Sequence, residues 1–88
     1  MKLNFTWKHR QSNYTDNYGL YLNKICVASY DYNIARVQGD KASPTFMGTI
    51  LLPSLKNERQ YGNNDKEIRA NIERVVTAWF DEALREAR

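Results

Sequence analysis

Apolar and polar residues alternate early in the chain, as in Leu3, Phe5 and Trp7 with Asn4, Thr6 and Lys8 between them. Beyond residue 64 the period changes. Ile68, Ile72, Val75, Val76, Trp79, Phe80, Ala83, Leu84 and Ala87 recur at three- and four-residue steps and so share one side of an α-helix. Side chains alternate across a strand but return every 3.6 residues on a helix, so one switch of period predicts a sheet followed by a covering helix. The expected fold is a single α+β domain. It has a three- or four-stranded antiparallel sheet over about residues 3–52, a loop over 53–63, and a C-terminal helix over about 65–87 packed on one face.

Within that frame, residues 3–8 read as the first strand and residues 8–13 as a polar, Asn-rich loop. Residues 18–22 and 25–30 form two apolar runs joined at Asn23 and Lys24. Asn accepts the positive φ that a two-residue hairpin turn needs. A regular hairpin puts Leu20, Leu22, Ile25 and Val27 on the core face and Tyr21, Cys26, Ala28 and Tyr30 on the other. Residues 34–37 read as a brief edge strand. Residues 45–52 form the last strand, with Phe46, Gly48, Ile50 and Leu52 inward and Met47, Thr49 and Leu51 outward. Pro53 ends it, because proline has no N–H for a ladder. Asn64 with Glu67 three residues on is a capping-box pattern at the helix start. The outer helix face pairs Arg69 with Glu73 and Asp81 with Arg85 at four-residue spacing, as a solvated face does.

Composition narrows the function classes. In 88 residues, 42% hydrophobic and 26% charged content supports one small globular core and argues against wholesale disorder. Cys26 is the only cysteine and His9 the only histidine, so neither an internal disulfide nor a Cys/His zinc site is expected. The opening residues alternate instead of forming the apolar run of a signal peptide, and no segment has the roughly 20 apolar residues of a membrane span. The expected setting is the reducing cytoplasm of a bacterial cell, with no membrane, metal or cofactor. Residues 1–63 hold eight Lys or Arg against four acids, and residues 64–88 hold five against six, so the sheet half is basic and the helix nearly neutral. For catalysis, His9 stands in a loop with no carboxylate or nucleophile at a readable spacing, so an enzyme is not expected.

One helix covers one sheet face, which directs attention to the other. There Tyr21, Tyr30, Met47 and Leu51 give a mixture of tyrosine and long apolar side chains typical of protein interfaces. With Tyr14, Tyr32 and Arg36 in adjoining loops, they are the candidate partner-binding residues. The alternative is a nucleic-acid-binding module using Lys8, Arg10, Arg36 and Lys41 as phosphate contacts. A homodimer joined through the open face is a third reading.

The order of features resembles a class of small proteins. Trp7 ends the first strand, and Gly19, Leu20, Tyr21 and Leu22 pair with Ile25, Cys26, Val27 and Ala28. Leu52 and Pro53 close the last strand, and the helix carries Val75, Val76, Thr77, Ala78, Trp79 and Phe80. This resembles phage and prophage accessory proteins built sheet first and helix second, among them several anti-CRISPR proteins. The resemblance implies a non-enzymatic inhibitor that occupies the surface of a host protein or ribonucleoprotein defence complex. It is one of pattern and implies no residue roles.

Overall fold

A computed structural model describes residues 3–11, 16–55 and 58–86. The elements in chain order are β1 (Phe5–Gln11), β2 (Asp16–Leu22), β3 (Ile25–Tyr32), α1 (Ile34–Val37), β4 (Phe46–Ile50), β5 (Arg59–Gly62) and α2 (Asp65–Glu86). The strands form one antiparallel sheet in the order β1-β2-β3-β4-β5, each paired with its neighbour in sequence. Helix α2 lies across β3, β4 and β5. The fold is therefore α+β with a C-terminal helix, as the change of period predicts, but the sheet has five strands and not three or four.

The core sits between sheet and helix. Leu20, Ala28, Tyr30 and Ile50 meet Ile68, Ile72 and Val76, all of them buried. Burying each large side chain contributes roughly 1.5–3 kcal/mol, so the helical stripe is structural. The side chain of Asn64 accepts the amide of Glu67 at 2.8 Å, and its carbonyl accepts that of Ile68 at 3.1 Å, which starts α2 where the capping pattern predicts.

Four departures from the sequence expectation matter for function. First, β5 lies inside the stretch expected to be loop, pairing Arg59, Gln60, Tyr61 and Gly62 with β4. Second, residues 34–37 make one helical turn in place of an edge strand. Asn33 caps it: its Oδ1 accepts the amide of Ala35 at 3.2 Å while its own amide donates to the Thr45 carbonyl at 2.9 Å. Third, β1 continues through Lys8, His9, Arg10 and Gln11, which pair with Gly19, Tyr18, Asn17 and Asp16.

The fourth is a β-bulge. At the hairpin Leu22 faces Ile25 and Tyr21 faces Cys26, but Leu20 then faces Ala28, so Val27 is an extra residue with no partner on β2. One extra residue inverts the inside–outside alternation of everything after it. Ala28 and Tyr30, expected on the open face, therefore point at the helix, and Tyr30 is only 2% exposed. Asn23 takes the positive φ (56°) that the hairpin turn requires.

Candidate functional site

No described element covers the face away from α2, and the strand register assembles it. Lys8, Gly19, Ser29, Thr49 and Arg59 form one row across all five strands. Asp31, Met47 and Tyr61 form part of the next. Gly19 keeps the middle of the β1–β2 pair shallow. A Cβ there would lie 2.8 Å from Arg10 Cδ, 3.0 Å from Tyr21 Cε2 and 3.3 Å from Cys26 Sγ. Those three side chains thus close over Gly19 as a compact cluster. Lys8 Nζ stands 5.0 Å from the centre of the Tyr21 ring, within cation–π range. Arg10 Nη1 donates to Cys26 Sγ at 3.4 Å, and that thiol donates to the Ala28 carbonyl at 3.3 Å. The thiol is engaged in packing and hydrogen bonding, and His9 lies on the opposite face against the Tyr18 ring. Among the described residues no group of His, Cys, Asp and Glu is placed to hold a metal ion. No described helix is long and apolar enough to cross a membrane.

Of the candidate partner-binding residues, Tyr21, Met47 and Leu51 stand on the open face, Leu51 at 44% exposure just past β4. Tyr30 does not, because of the bulge. Tyr32 is 58% exposed but stacks on Phe46 at the rim of the helix side, ring centres 5.1 Å apart. Arg36 is committed locally: its Nη1 donates to the carbonyls of Lys41 (2.7 Å) and Ser43 (3.2 Å), holding the α1–β4 connection. Asp40 braces the same loop through the Ser43 hydroxyl and the Ala42 amide, which lower its carboxyl pKa. Tyr14 falls outside the described residues. Of the basic set, Lys8 and Arg10 lie on β1 itself, whereas Arg36 and Lys41 stand in the β3–β4 connection. Arg59 was not legible as a site residue, and Tyr61 was legible only as a tyrosine beside asparagines in a stretch expected to be loop.

Under the N-terminal half of α2 the aromatic residues form a second cluster. Tyr30 donates its hydroxyl proton to Asp65 Oδ1 at 2.6 Å and accepts from Arg69 Nε at 2.9 Å. Arg69, expected on the solvent face beside Glu73, instead turns inward. Its guanidinium lies 5.2, 5.0 and 5.7 Å from the ring centres of Trp7, Tyr18 and Tyr30. Burial, reinforced by the bond to Asp65, pushes the Tyr30 pKa up from 10.0 to about 12 against the opposing pull of Arg69. A pKa raised on folding means stability that is present below pH 10 and lost as the pH climbs through about 12. Urea melts across that window should show a shallower loss of stability in Tyr30→Phe than in the wild type. An equal slope would remove Tyr30 from the alkaline transition.

At the far end of the sheet, Leu22, Ile25, Val27, Leu52, Trp79 and Phe80 border an open apolar groove of about 540 Å³. Among the described residues no titratable group lines it, and Asn4 and Asn23 are its polar residues, so it offers burial without a charge to orient a ligand. Compared with known proteins, the chain matches no family model, no curated protein and no solved structure.

Proposed function

We propose that the chain is a non-enzymatic binding protein of phage type, which inhibits a host defence complex by laying its open sheet face on that complex. The supporting observation is the face itself: five strands with no covering layer among the described residues, carrying Tyr21, Met47, Leu51 and Tyr61 among Lys8, Arg10 and Arg59. A solvent-facing sheet surface is normally polar throughout, and an aromatic–aliphatic patch rimmed by charge marks an interaction surface. The inhibitory role rests on the sheet-then-helix resemblance.

Capture from a bacterial host lysate by immobilised wild type and Met47→Glu tests this reading. Met47 is outside the core, so the variant should melt as the wild type does, yet retain at least about tenfold less of the partner, a typical cost for a contact near an interface centre. Equal capture by both would sink the open-face assignment.

A second reading, nucleic-acid binding, is favoured by one observation: Lys8, Arg10 and Arg59 sit on strands of the open face and not in loops. If each neutralises one phosphate of a duplex, raising salt fourfold costs about 40-fold in affinity. A tyrosine-rich protein interface changes far less, so the salt slope separates the two readings.

A further inference from the structure

At the end of the sheet where α2 begins, a cleft of about 90 Å³ opens between Tyr18, Tyr30, Tyr32, Phe46, Asp31 and Asp65. Four of its described lining residues are aromatic and the other two are Asp31 and Asp65, with no Lys or Arg among them. The rings are held by one another. Tyr18 stacks on Tyr30 with centres 5.2 Å apart, Phe46 stands edge-on to Tyr30 at 5.5 Å, and Tyr32 stacks on Phe46. Asp65 is oriented through the hydroxyl of Tyr30.

Ring faces carry negative potential and attract organic cations, most of all where water is partly excluded. The Asp65 carboxylate beside them strengthens that preference and repels anions. The same cluster already holds one cation, the guanidinium of Arg69 over Tyr18 and Tyr30. We propose that this cleft is a cation-binding site that takes the alkylammonium head of a lysine or methylated lysine side chain presented by a partner protein. The volume is the argument for a side chain: the cleft admits a head group alone, so the remainder of the ligand stays outside. The site lies at the helix-side rim, so it stands or falls separately from the open-face reading.

The test titrates the full chain with tetramethylammonium chloride and, at matched ionic strength, with neutral tert-butanol, reading ring-proton shifts by NMR. The expected result is saturable shifts at Tyr18, Tyr30, Tyr32 and Phe46, with tert-butanol about tenfold weaker. Tyr32→Ala removes an exposed rim ring and Asp65→Asn one charge, and each should weaken tetramethylammonium several-fold while the remaining spectrum stays folded. Equal binding of tert-butanol, shifts confined to other residues, or unchanged affinity in both variants would overturn the proposal. A short peptide containing trimethyllysine should bind tighter than choline, and the reverse order would overturn the assignment to a protein side chain.

Discussion

Gly62→Ala is expected to unfold the domain. A Cβ at position 62 would lie 2.6 Å from the backbone nitrogen of Ile68, 2.8 Å from its Cα and 2.9 Å from its Cβ. These are atoms of α2 itself, so relief requires lifting the first turn of the helix off β5. Overpacking that a side chain can absorb costs about 1–3 kcal/mol. A clash with helix backbone exceeds that range, against a total stability on the order of 5 kcal/mol for so small a core. Gly48→Ala makes the comparison. There the added Cβ would meet Ile72 Cδ1 at 2.6 Å, the end of a flexible side chain. Ile72→Val deletes that atom, so the Gly48→Ala, Ile72→Val pair should be more stable than the sum of its single variants by about 1 kcal/mol. Ile68→Val should not rescue Gly62→Ala, because the obstructing atoms nearest the new Cβ are backbone. Urea midpoints of the five variants decide the matter, and a Gly62→Ala midpoint within error of the wild type would refute the close approach.

Tyr30→Ala carries the second large effect. It removes a buried ring that packs against Trp7, Tyr18 and Phe46, a loss of about 3–5 kcal/mol for a large aromatic side chain. It also takes the hydroxyl from Asp65 and Arg69. Tyr30→Phe, which keeps the ring, should lose only about 1–2 kcal/mol. This contrast has a functional use. Any partner binding lost in Tyr30→Ala should vanish together with the native circular dichroism signal, whereas Met47→Glu should lose binding with the fold intact. Binding lost in a folded Tyr30→Ala would mean that the residue reaches a partner directly.

Much of the architecture was legible because it rests on short-range periodicity. The Ile68, Ile72 and Val76 stripe, the Asn64 cap, the Asn23 turn and the in–out pattern of residues 46–50 each follow from a few neighbouring residues. What escaped was decided at a distance. Strand β5 has four residues, of which only Tyr61 favours a strand, and its pairing is supplied by β4. Gly62, which reads as a loop residue, stands where an added Cβ would lie 2.6 Å from the helix backbone. The polar end of β1 looked like a loop because Lys8, His9, Arg10 and Gln11 are all exposed, though each has a register partner on β2.

The candidate sites depended most on such long-range effects. The bulge at Val27 moved Tyr30 from the expected contact surface to the core, and with it created the aromatic cluster that draws Arg69 inward. The extension of β1 and the pairing of β5 brought Lys8, Arg10 and Arg59 onto one face, which no local pattern links. The sequence by itself determined the α+β class, the helix with its buried stripe, and the existence of an open sheet face, because amphipathic periodicity is a local property. Tertiary structure alone decided which side chains occupy that face and which cage a cation beneath the helix. One unpaired residue in a strand reverses the alternation downstream, and only the partner strand reveals that it is unpaired.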